Sequence, residues 1–155
     1  MSNCKFCDII YNKGIIQQSF AKSKSNFENL DKNMKVVAII CEYNPFHKGH
    51  LEQIRYIREY FAPENVAILS LMSGNFVQRG DLAIFPKYDR AKAALECGSD
   101  IVLELPFPFS MASAAIFADS AVSILSKLGC VDYLFFGSEN GEVEILKKTA
   151  ERLVS

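Results

Sequence analysis

Both histidines of the chain lie in one short segment, Glu42-Tyr43-Asn44-Pro45-Phe46-His47-Lys48-Gly49-His50, directly after the apolar run Val36-Val37-Ala38-Ile39-Ile40. A β-branched run that ends in a loop and opens a helix with His-x-Gly-His suits phosphate handling, because helix amides and two imidazoles can converge on one anion. A single His at a helix start is commonly no more than a cap. Here two stand around a Lys and a Gly, and the amphipathic pattern Leu51, Ile54, Ile57, Phe61 follows. Gly49 leaves room for a ligand to approach the backbone. His47 and His50 are therefore the candidate catalytic residues of a nucleotide site.

Two further loops carry groups that could serve the same site. Met72-Ser73-Gly74-Asn75-Phe76-Val77-Gln78-Arg79-Gly80-Asp81 offers Arg79 as a planar clamp for phosphate or carboxylate, with Gly74 and Gly80 letting the loop fold over. The same residues also describe a surface loop with a solvated arginine. Phe135-Phe136-Gly137-Ser138-Glu139-Asn140-Gly141 offers glycines that suit either an ordinary turn or close approach of a ligand. Lys87, Arg90 and Lys92 fall at helical spacing and read as a solvated face, although Lys87 and Arg90 could also reach phosphates or RNA.

The elements that must position these loops alternate. Strands are expected near 35–41, 65–71, 100–104 and 131–136, and helices near 49–61, 87–97, 112–128 and 142–153. Four βα units predict an α/β, Rossmann-like, doubly wound parallel sheet covered on both faces. In that topology three strands step outward and the fourth returns beside the first, which places the His47/His50 loop and the Gly137 loop around one crevice.

Residues 1–33 differ from the rest. They hold Cys4-Lys5-Phe6-Cys7 and a polar Lys/Ser/Asn-rich run, so the expected organisation is a leader or linker over 1–33 and one nucleotide-binding domain over 34–155. With 17 basic and 18 acidic residues, no overall basic excess announces nucleic acid. No apolar stretch is long enough to cross a bilayer, and the polar start is unlike a signal peptide, so the expected location is the cytoplasm. Five cysteines, three of them in or beside apolar segments, argue against a disulfide framework.

The segment Glu42 to His50, Met72 to Gly80, Asp100-Ile101-Val102-Leu103-Glu104-Leu105-Pro106 and Phe135 to Gly141, in that order, closely resemble the bacterial tRNA(Met) cytidine acetate ligase family of the HIGH-type nucleotidyltransferase superfamily. The resemblance implies an ATP-dependent ligase. Acetate would attack the α-phosphate to give acetyl-adenylate, and the wobble cytidine of elongator tRNA(Met) would take the acetyl group at N4. It carries ATP binding onto Ile40, Cys41, Glu42, Tyr43, Asn44, Pro45, Phe46, His47, Lys48, Gly49, His50, Leu51, Glu52 and Gln53, with a further contact at Gly137. Mg²⁺ is expected to accompany the triphosphate, with no dedicated all-protein metal cage. Family members continue well beyond the length seen here, so the chain reads as an amino-terminal portion, with complete tRNA acetylation needing later elements. Alternatives from neighbouring classes are a small nucleotidyltransferase and a non-catalytic nucleotide-binding or assembly module. Residues 1–10 more weakly resemble the start of histidine-triad nucleotide hydrolases, but Cys4 and Cys7 are only half of a tetrahedral zinc site.

Overall fold

The computed structural model describes residues 34–137. The leader over 1–33, the Gly141 turn and the helix expected over 142–153 lie outside the described residues. Strand β1 (Lys35–Cys41) is central because it is apolar on both faces: Val36 and Ala38 are buried on one side, Val37 and Ile39 on the other. On one flank it pairs in parallel with β2 (Val66–Ser73), from Lys35 opposite Val66 to Cys41 opposite Met72. Strand β3 (Ile101–Leu105) adds to β2, and β4 (Tyr133–Leu134) pairs in parallel with the other flank of β1. The order β3-β2-β1-β4 is the doubly wound arrangement expected from the sequence.

Helices close both faces. Helix α1 (Lys48–Tyr60) buries Ile54 and Ile57 against Val37, Ile39 and Ile68, at about 1.5–3 kcal/mol for each fully buried side chain. Helix α2 (Lys87–Glu96) packs Ala94 beside Tyr43 and Met72 on the same face. Helix α3 (Ala114–Leu128) covers the opposite face, with Phe117, Ala121 and Leu125 over Val36, Ala38, Leu69 and Leu71. Among the described residues no helix is long and apolar enough to cross a membrane.

Two boundaries differ from the expectation. Strand β4 was expected over 131–136 but pairs only at Tyr133 and Leu134; ahead of that pair Asp132 is tied to Val36 twice, its amide donating to the Val36 carbonyl at 2.9 Å and its carboxylate accepting from the Val36 amide at 3.0 Å. Behind the pair the Phe135 amide donates to the Ala38 carbonyl at 2.8 Å. Helix α3 starts at Ala114 because Ser113 caps it, and it stops at Gly129, whose φ of +69° suits a residue without Cβ.

The amino-terminal edge of the sheet is fastened independently of its other end. Arg58, near the end of α1, donates to the carbonyls of Val66 and Gly98 and to the Asp100 carboxylate, at 2.7 Å for the last. The same Asp100 oxygen accepts from the Ile68 amide at 2.6 Å. This leaves the carboxyl ends of the strands free to carry loops.

Candidate functional site

The chain leaves β1 through Tyr43, whose φ of +48° lies in the left-handed region, a conformation that costs a bulky residue about 1–2 kcal/mol. Its ring is driven inside, 1% exposed, and its hydroxyl begins a buried relay. Tyr43 Oη lies 3.0 Å from Ser70 Oγ, which lies 2.9 Å from Ser99 Oγ, and Ser99 donates to the carbonyl of Ile68 or Ile101. Burial pushes the Tyr43 hydroxyl well above its ordinary pKa, so it stays protonated and can serve as the donor that heads this chain. The Tyr43 ring then meets Phe46 and His50 edge-on, each with centroids 4.9 Å apart.

His47 is the N-cap of α1, with extended backbone at φ −141°. Its Nδ1 accepts from the Gly49 amide at 3.1 Å, while the His47 amide donates to Nδ1 of His50 at 3.2 Å. Two imidazoles thus form a reciprocal capping box, a role usually taken by a hydroxyl and a carboxamide. Both Nδ1 atoms are acceptors, so the neutral rings carry their protons on Nε2. The rings stack with centroids 3.8 Å apart. Burial, with the neighbouring His47 adding to it, pushes His50 down to about 4, so near neutrality it is an uncharged N–H donor. The space at Gly49 belongs to this cap: a Cβ there would lie 3.0 Å from His47 Cε1.

Beside the pair lies a cavity of about 500 Å³ at the carboxyl ends of β1 and β4. Its walls are Ile40, Cys41, Glu42, Tyr43, Asn44, Pro45, His47, His50 and Gln53 from the first loop and helix, with Phe136 and Gly137 from beyond β4. Gly137 has no heavy atom within 4 Å of where a Cβ would stand. Nothing in the described fold requires glycine there. The Cys41 thiol is pushed up to about 12, mainly by burial, which rules it out as a thiolate nucleophile at neutral pH.

The remaining sequence-selected residues fall elsewhere. Phe46 packs into the core, and Lys48 and Gly49 are exposed at the helix start. Leu51 lines a different hollow between α1 and the end of α2, and Glu52 pairs with Arg55 at 2.9 Å on the outer face. Arg79 sits exposed on a short 3-10 turn, Gln78–Gly80, away from the cavity walls. Lys87 also stands outside, paired with Glu104 at 2.6 Å. Arg90, expected on a solvated face, is 2% exposed and donates to the carbonyls of Phe85, Glu42 and Gly74. Helical spacing alone concealed it, since burial of one position in a basic triplet depends on which loops fold over that position.

Two polar residues of the first loop look outward as braces. Glu42 Oε1 accepts from the Gln78 amide at 2.8 Å, and Asn44 Oδ1 accepts from the Ile84 amide at 2.7 Å. Phe136, which forms a wall, carried no chemical signal in the sequence beyond standing next to Gly137. Among the described residues no group of three or more His, Cys, Asp or Glu converges in a way that could hold a metal ion.

A family model described as HIGH Nucleotidyl Transferase matches residues 34–155. The chain is 49% identical over 121 residues to the tRNA(Met) cytidine acetate ligase of Acetivibrio thermocellus, covering 78% of this chain and 29% of that protein. Against the protein of the same name from Syntrophotalea carbinolica the identity is 52% over 120 residues, covering 77% and 28%. The crystal structure of Thermotoga maritima TmcAL bound with alpha-thio ATP matches with a TM-score of 0.71 and 44% identity, covering 77% of this chain and 28% of that one. The chain thus spans less than a third of the length of these relatives.

Proposed function

Because this chain belongs to the HIGH nucleotidyltransferase family, we propose that its cavity takes ATP and that it serves the adenylate-forming step of a tRNA(Met) cytidine acetate ligase. The observation that carries the reading is the reciprocally capped His47/His50 pair on the wall of a cavity where β1 and β4 end. The names of the relatives and the nucleotide analogue bound to the Thermotoga maritima protein support it.

In this reading the triphosphate lies against the two Nε2–H groups. A carboxylate oxygen of acetate attacks the α-phosphorus, the bond to the bridging oxygen breaks, and pyrophosphate leaves with the electron pair. Donors already fixed by the cap stabilise the charge that gathers on the phosphate oxygens, without reorganising at the moment of reaction. The uncharged state of His50 suits it to donating a hydrogen bond rather than delivering a proton. Gly137 and Phe136 would admit the nucleoside, and the Gln53 carboxamide offers both a donor and an acceptor one helical turn below His50. Mg²⁺, where it takes part, would arrive on the triphosphate and neutralise it. The N4 amine of the wobble cytidine of elongator tRNA(Met) then attacks the acetyl carbonyl, AMP leaves, and the amine gives up its proton. Such a reaction belongs in the cytoplasm.

The test is calorimetric ATP binding and acetate-dependent pyrophosphate release by the purified chain, with and without tRNA. Release that requires acetate supports the adenylation reading. Binding without turnover turns the chain into a nucleotide-binding module, and absence of binding refutes the site.

A further inference from the structure

We infer that Arg90 is the positioning residue of this cavity, fixing the loop that carries His47 and His50 by tying it to the loop after β2. The inference rests on the ATP reading above. The guanidinium is almost fully buried and spends each of its three nitrogens on a backbone carbonyl: Nε on Phe85 at 3.0 Å, Nη1 on Glu42 and Nη2 on Gly74. Those carbonyls belong to the first residue after β1, the first residue after β2, and the segment leading into α2.

Three further contacts make the connection stiff. Glu42 and Asn44 each accept an amide from the β2 loop, at Gln78 and Ile84, and the Asn75 side chain accepts the Lys87 amide at 3.0 Å where α2 begins. Gly74 also sits close against the Glu104 side chain, since a Cβ there would fall 2.2 Å from Glu104 Oε1. Arg90 does not itself line the cavity, but it bonds the backbone of one wall residue. It acts through Glu42, whose backbone it holds and whose neighbours Tyr43 and Asn44 form the wall leading to the histidine cap. A lysine keeps the charge but offers one compact donor group in place of a planar fork, so it cannot span three carbonyls on separate segments.

The experiment compares Arg90→Lys with Arg58→Lys, which loosens the equivalent three-acceptor staple at the opposite edge of the sheet. Three quantities are read on the purified chain: thermal stability, ATP affinity, and the ¹⁵N signals of the two imidazoles without nucleotide. Both variants are expected to melt earlier. Only Arg90→Lys is expected to shift the imidazole signals and to weaken ATP by about tenfold or more, the equivalent of a misplaced charge-assisted hydrogen bond. Unchanged imidazole signals in folded Arg90→Lys overturn the inference whether or not ATP binds, whereas loss of ATP binding in the wild type overturns only the ATP reading. If Arg90→Lys does not fold, hydrogen exchange on the wild type decides. ATP should slow exchange at the Gln78 and Ile84 amides, outside the cavity, and protection confined to residues 42–53 overturns the coupling.

Discussion

Replacing Gly137 separates a glycine kept for a ligand from one kept for the fold. At this position the backbone does not occupy the left-handed region, and a Cβ would meet no heavy atom within 4 Å. Gly137→Ala should therefore leave stability unchanged or raise it by about 0.4–1 kcal/mol, through loss of unfolded-state freedom. For a domain of this size that corresponds to a melting temperature higher by a few degrees. The cavity predicts the opposite sign for binding. Gly137 is part of the wall, so an added methyl takes space from the nucleotide, and overpacking of a close-fitting contact costs about 1–3 kcal/mol. ATP affinity should fall roughly 5- to 150-fold, and further for Gly137→Val. Differential scanning calorimetry and ATP titration on the same preparations read both signs. Wild-type ATP affinity in Gly137→Val would refute the wall assignment, and a melting temperature lower by more than a few degrees in Gly137→Ala would refute the reasoning from open space.

Other substitutions divide the histidine pair into its two duties. His47→Asn should keep the helix cap and lose the Nε2 donor, so ATP binding falls while stability holds; His47→Ala should lose both, with about 0.5–2 kcal/mol of stability, as denaturant midpoints will show. Because the folded pKa of His50 is depressed to about 4 from an ordinary 6.5, the unfolded chain takes the proton first. The His50 contribution is therefore fully present above about pH 6.5 and is lost as pH falls toward 4. Melting curves of His50→Asn should show a shallower decline than wild type across that window, and parallel curves would contradict it. Removal of residues 1–33 is expected to leave one cooperative unfolding transition, since that segment holds a long polar Lys/Ser/Asn-rich run and precedes the central strand β1; a molten product by near-ultraviolet circular dichroism would place the leader in the core.

Strands were legible where burial on both faces made the sequence continuously apolar, as in β1, and helices where periodicity met a cap. Strand β4 was overestimated because the apolar residues on either side of Tyr133 and Leu134 extend the strand-like pattern, whereas only those two residues pair with β1. The 3-10 turns at Gln78–Gly80 and Phe109–Met111 have too few residues to show a period. Within the candidate site, the histidines were visible as chemical types at a telling spacing. Their mutual cap was not, because a ring that accepts from a backbone amide reads the same as one that awaits a ligand. Gly49 shows the same ambiguity: it was assigned to ligand approach, and the structure gives its space to the His47 ring. Arg90 shows it again, since a buried arginine and a solvated one share the same helical spacing.

The position of β4 has a consequence in time. The Asp132 carboxylate that docks this strand meets the Val36 amide across 96 positions of sequence, and Phe136 and Gly137 follow just behind it. A ribosome adding about 5–20 residues per second releases the histidine loop several seconds before its opposite wall exists. During that interval β1 lacks one neighbour, and among the described strands it is β4 that closes its unpaired edge. Nucleotide captured between the two walls would act as a latch on that step, holding chains in which β4 has already docked.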